Sequence, residues 1–263
     1  MNIPPITNAQ SQSPLAPADG ANNAAWSALF AQLVAGGAEP LSSVPQVMPI
    51  PGLSATGRNM ALADPESAYR MMSLINRVEL QSQAQHAELT DMKAGLQQMQ
   101  EAGSSLASGG GARLRVLGFV AQYNGWASRF APDLKPGGLL AGTQAAQVSR
   151  YELEQNFNNR FYGVNSGVRG IGDLGVSIDP TTHLASVDTA RLDAVLASNP
   201  QGVADTLNEF GSNFAKSAGM LVSDGNFVQR QLDNLSRAIH FIYDNKASLQ
   251  REFGTGDPAG SAG

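Results

Sequence analysis

The chain has 263 residues, enough for one large or two small domains at about 150 residues each, and its 17 Lys and Arg against 22 Asp and Glu give a net charge of −5. Hydrophobic residues make up 42% and charged residues only 15%, so a core is affordable in composition while the surface rests on Ser, Asn, Gln, Thr and Gly. Cysteine is absent, which excludes disulfides, thiolate catalysis and thiolate metal sites.

Residues 1–63 hold eight of the 14 prolines and three charges, Asp19, Glu39 and Arg58. Each proline removes a backbone donor and clashes with the preceding turn, so this region is expected to be disordered. One short helix is possible near 23–34, where Trp26, Leu29, Phe30, Leu33 and Val34 fall at helical spacing. The opening residues have neither a basic nor an apolar leader region, so conventional secretion is not expected.

Asp64-Pro65 places a capping residue before a first-turn proline and predicts a long helix over 64–103. Met72, Ile75, Leu89, Met92, Leu96 and Met99 form its apolar stripe, weakened in the middle by Ser82, Gln85 and His86. Packing against another helix near both ends follows, with an antiparallel partner in the same chain preferred. The glycine-rich run 104–111 reads as a flexible linker.

Residues 112–253 read as a helical domain. Val116, Phe119, Val120, Tyr123, Trp126 and Phe130 make one apolar face of a helix over 112–130, followed by a loop at Pro132–Gly138. Thr143 can cap a third helix running to about Tyr162. The period then changes to two in GVSI and LASV, which predicts a β-hairpin near 175–187. Asp188 and Asn199-Pro200 each cap a further helix.

From Phe214 to Phe253 the apolar positions step alternately by four and three, interrupted by Ser223-Asp224-Gly225-Asn226. That is a 3.5-residue period, the mark of a coiled coil. Val228, Leu232, Leu235, Ile239, Ile242, Leu249 and Phe253 are the candidate helix-packing and assembly residues, with Lys246 a polar departure on the seam. A disordered tail is expected over 254–263. The fold class is therefore mainly α with a small β-hairpin, a long-helix bundle or coiled-coil stem between disordered ends.

Catalytic spacing is missing. The three histidines, His86, His183 and His240, lie far apart, and the glycine runs lack the strand, helix and lysine of a phosphate loop. Asp173, Asp179 and Asp188 lack the alternating ligands of a calcium loop and read as turn and cap residues. An enzyme would have to use His183 with Asp179 or Asp188. No basic cluster favours nucleic acid, and no run approaches the ~18 apolar residues of a membrane span. No enzyme activity, cofactor, metal, nucleic acid or membrane insertion is expected.

Several segments, taken in order, resemble the C-terminal region of the flagellar hook-associated protein 2, or filament-capping, family. Phe119–Asn124 (FVAQYN) is similar to that family's FVxxYN segment, and Gly138–Thr143 to its G-x-L-x-G-D segment, with Thr143 for the Asp. Ile171–Asp179, Leu184–Leu196 and Asn199–Ala204 resemble the strand, strand-and-helix and helix start that follow, and the stretch ending at Phe253 its long C-terminal helix. Asp179-Pro180-Thr181-Thr182-His183 stands where the family has an Asp-Gly hairpin turn. No β-rich head domain precedes the stem; Gly103–Gly111 sits at its expected place.

The resemblance implies a non-enzymatic flagellar structural or assembly protein that serves motility. It would self-associate as a homo-oligomer and contact axial proteins such as flagellin or hook-associated proteins. It also implies secretion by the flagellar export apparatus through an uncleaved N-terminus. The alternative is a cytoplasmic adaptor or regulator with the same stem that binds one flagellar client.

Overall fold

Asp64 accepts a hydrogen bond from the Ser67 amide at 3.1 Å, and Pro65 follows as the first helical residue. The long helix therefore starts where its cap signal stands. The computed structural model describes residues 64–107, 111–161 and 167–256. All belong to one compact unit, Met48–Gly263. The expectations for 1–63, including the short helix near 23–34, lie outside the described residues, as does the end of the tail at 257–263.

Helix α1 spans Pro65–Ala107, 43 residues and about 65 Å at 1.5 Å per residue. It runs four residues beyond the expected stop at Gly103. The reason is tertiary: a Cβ on Gly103 would lie 2.8 Å from the Ala215 amide nitrogen, so the glycine admits a neighbouring backbone rather than ending the helix. Of the expected linker, 104–107 is thus helical and 108–110 lies outside the described residues.

Helix α2 spans Ala112–Leu134 and buries the expected face, Val116, Phe119, Val120, Tyr123, Trp126 and Phe130. It includes Pro132, where a loop was expected, because buried Leu134 anchors its last turn. Helix α3, Gln144–Phe157, ends earlier than expected, and the Asn158 and Asn159 amides turn back on Gln155 and Asn156. Thr143 does not cap it; its hydroxyl donates instead to the Leu140 carbonyl at 2.8 Å.

A 3-10 turn at Ile171–Leu174 leads into strands β1, Val176–Ile178, and β2, Ala185–Val187. They pair antiparallel with Val176 opposite Val187 and Ile178 opposite Ala185. Helix α4, Thr189–Ser198, is capped by Asp188 through the Arg191 amide at 3.0 Å. Helix α5, Pro200–Val222, is capped by Asn199 through the Gly202 amide at 2.9 Å, and α6 spans Phe227–Phe253. Among the described residues the fold is mainly α with one small hairpin.

The core sits where α2, α3 and α5 meet. Phe119 lies edge-on to Phe214 at 4.8 Å and to Phe210 at 5.4 Å, and Phe157 closes the cluster 4.8 Å from Tyr123. Edge-to-face rings add about 0.5–1.5 kcal/mol each beyond area burial. Beyond this core, α1 and α6 continue together as a stem.

Candidate assembly site on the stem

Contacts along α1 in falling residue number meet rising numbers on α5 and then α6. A Cβ on Gly211 would stand 2.5 Å from the Gly103 carbonyl oxygen, so at the base of the stem the two backbones touch. Further out, Lys93 Nζ donates to Gln229 Oε1 at 2.5 Å, and His86 Nε2 lies 3.1 Å from Ser236 Oγ. Lys246 Nζ then reaches Glu79 Oε2 at 3.1 Å, and near the tip Asn76 and Ser73 donate to the Thr255 and Gly256 carbonyls. The pairing is antiparallel and within one chain, and the first residues of the expected tail, 254–256, are held against α1.

The turn at Ser223–Asn226, with Gly225 at φ 77°, joins α5 and α6 without losing the phase of the seam. Phe214, Ala218 and Leu221 are buried before the turn, and Val228, Leu232, Leu235 and Ile242 after it. Ile239, Leu249 and Phe253 are half-buried. The seam residues therefore face α1, and their distal members are covered less completely because only two helices meet there.

The weak middle of the α1 stripe is a polar layer. Gln85 donates to the Leu139 carbonyl at 3.0 Å, and His86 meets Ser236. Ser82 Oγ is buried without a hydrogen-bond partner among the described residues. Lys246 is matched by Glu79 at a seam position of α1, so the polar departure read on one helix has its counterpart on the other.

Where the stem meets the bundle, Arg129 lies 2.6 Å from Glu88 and 3.4 Å from both Asp91 and Asp133. Burial and the neighbouring Glu88 hold the Asp133 carboxyl above its ordinary range. This network escaped the sequence reading; the four-residue spacing of Arg129 and Asp133 was its only local signal.

The hairpin is fastened to α2. Asn124 Oδ1 accepts from the Ala185 amide at 2.7 Å while its Nδ2 donates to the Ala185 carbonyl at 2.8 Å. The Tyr123 hydroxyl donates to the His183 carbonyl at 3.2 Å, and burial holds this phenol well above its usual range. His183, with φ 61°, places Nδ1 3.0 Å from Glu154 Oε1.

Asp179 does not join His183 in a reactive pair. Its carboxylate accepts from the Thr181 and Thr182 amides, which hold it below the usual range. Asp188 caps α4, and Asp173 accepts from the Arg169 amide at 2.9 Å. Each aspartate thus fills the turn or cap role read from its position. Among the described residues no cluster of three or more His, Asp or Glu side chains is placed to hold a metal ion, and no helix is long and apolar enough to cross a membrane.

No protein-family model matches the chain, and no curated protein matches it. Among solved structures, the chain is similar to the flagellar cap protein FliD, domains D1-D2-D3, from Escherichia coli. Identity is 18% and the TM-score 0.42. The match covers 46% of this chain and 35% of that one, so it spans about a third of the FliD chain.

Proposed function

We propose that this chain is a non-enzymatic structural or assembly protein of the bacterial flagellum, exported by the flagellar apparatus. It acts through its helical stem, by self-association and by contact with axial proteins. One observation supports the reading most. The segments that resemble the filament-capping family, far apart in sequence, meet in this fold: Asn124 of FVAQYN clasps Ala185 of LASVDTARLDAVL at 2.7 and 2.8 Å. Gly175 of the preceding segment accepts from the Asp188 amide at 2.9 Å.

The adaptor reading is favoured by a different observation. Val228, Leu232, Leu235 and Ile242 are buried within the chain, so a monomer already satisfies most of the seam. The two readings part on location. The experiment is to tag the protein, shear off surface filaments and assay filament, medium and cytoplasm, with and without a working flagellar export apparatus. Appearance in filament or medium only when export works is the expected result. Retention in the cytoplasm in both strains would overturn the axial reading in favour of the adaptor.

A further inference from the structure

The tail that its composition marks as disordered is fixed at its first three residues. Gly254 ends α6 at φ 80°, and its amide still donates to the Gln250 carbonyl at 2.8 Å. With ψ at −171° it takes a backbone conformation that is essentially open to glycine alone, and the chain leaves the helix towards α1. Asn76 Nδ2 then donates to the Thr255 carbonyl at 3.3 Å, and Ser73 Oγ to the Gly256 carbonyl at 3.1 Å. Gly256, at φ 79°, lies directly on α1: a Cβ there would stand 2.9 Å from Asn76 Nδ2 and 3.1 Å from Met72 Cγ.

These contacts sit where the stem has least to hold it. The Glu79–Lys246 register sets Phe253 level with Met72, so α6 runs out where α1 still buries Met72 and Ile75, at 0% and 3% exposure. Leu249 and Phe253 are only half-buried, because two helices alone cover each other incompletely. Ends of this kind open at small cost in free energy unless something ties them down. Residues 254–256 are such a tie, with two carbonyls bonded to α1 side chains and a glycine seated on Met72. Neither bond involves an ionisable group.

We infer that residues 254–256 are a strap that closes the distal end of the stem, and that its release opens that end and uncovers Met72. The device belongs to the stem alone and holds for either reading of function. With the strap down, the α1 seam is covered past the last turn of α6. With the strap off, Met72 and Ile75 become an apolar strip at the stem tip. Both bonds run from α1 side chains to strap carbonyls, so recognition depends on the path of the strap backbone and hence on its two glycines.

The test compares the wild type with two variants: Ser73→Ala with Asn76→Ala, which removes both donors, and Gly254→Ala, which forbids the exit angle of the strap. Alanine favours helix over Ser, Asn and Gly, so neither variant weakens α1 or α6 through propensity, and far-UV circular dichroism checks that the helices remain. Amide exchange over 69–80 and 243–253 should quicken on the order of tenfold in both variants, as expected for the loss of two hydrogen bonds, while 85–92 and 232–239 stay protected. Mild peroxide gives an independent reading. Met72 sulfoxide should form several-fold faster in both variants, with fully buried Met92 unchanged and exposed Met220 oxidised alike in all three chains. Wild-type rates of tip exchange or of Met72 oxidation in both variants would overturn the strap. Equal acceleration along the whole stem would also overturn it, because a strap acts at the end it ties.

Discussion

Lys246 Nζ sits 3.1 Å from Glu79 Oε2 across the stem, joining the one lysine on the α6 seam to a largely buried carboxylate on α1. The match favours one register, because a slip by a heptad in either direction would set Glu79 against an apolar residue, Ile239 or Phe253. A buried polar pair of this kind is weak as a source of stability and strong as a source of specificity. Removing one partner is the informative change. Lys246→Ala should lower stability by about 1–2 kcal/mol, below the value for a fully buried pair since the lysine is partly solvated. The paired change Glu79→Leu with Lys246→Leu should recover most of that loss. Urea denaturation of the wild type and the two variants measures both effects, and a double variant no better than the single one would show that the pair does not couple.

Gly103 and Gly211 allow α1 and α5 to touch backbone to backbone. Alanine in place of a helical glycine normally stabilises by about 0.5–1 kcal/mol. Here the sign should reverse, because a methyl group at Gly211 would meet the Gly103 carbonyl oxygen at 2.5 Å. Gly118→Ala and Gly125→Ala, on α2 with nothing within 4 Å of the added carbon, should instead stabilise by the usual amount. Thermal midpoints of the four variants should split into two destabilised and two stabilised.

Asn124 satisfies both backbone groups of Ala185 with one side-chain amide. Asn124→Ala leaves a donor and an acceptor of β2 without these partners and should destabilise by about 1–3 kcal/mol. The loss should be local first, seen as faster amide exchange at Ala185 and through the hairpin while α1 and α6 stay protected. Uniform loss of protection would mean that the hairpin and stem open as one unit.

Asp133 and Asp179 should respond to pH in opposite senses. Asp133 is raised in the folded state, so the native protein binds its proton more readily than the unfolded chain does. Its ionised form opposes folding, and that opposition is relieved as pH falls from the raised value towards the ordinary carboxylate value. Asp179 is lowered by the Thr182 and Thr181 amides; its stabilisation is present above the ordinary value and lost as pH falls through the depressed one. Relative to wild type, Asp133→Asn should gain midpoint temperature near neutrality and lose that gain on acidification. Asp179→Asn should show a deficit near neutrality that shrinks in acid. Parallel pH profiles for the two variants would contradict these assignments.

What the sequence made legible were features that depend on near neighbours. The caps at Asp64, Asp188 and Asn199 stand where they were read, and the four-three stepping from Phe214 to Phe253 marks the face that packs. Features that depend on distant backbone were misread. The run beginning at Gly103 has the composition of a break, yet Gly103 is helical because Gly211 lies against it. Thr143 has the chemistry of a cap, but the Leu140 carbonyl takes its hydroxyl first. Of the site, periodicity named the seam on α6 and left its partner open. The match of Glu79 to Lys246, the Arg129 network and the Asn124 clasp appear only when helices far apart in sequence are brought together.

The central claim is that α1 and α6 form one antiparallel hairpin within a single chain. The direct measurement is the distance between spin labels on cysteines introduced at exposed Gln83 and His240, read by pulsed electron resonance with labelled chains diluted into an excess of unlabelled ones. A short distance that survives dilution is the expected result. A short distance that vanishes on dilution would place the two helices in different chains and contradict the hairpin.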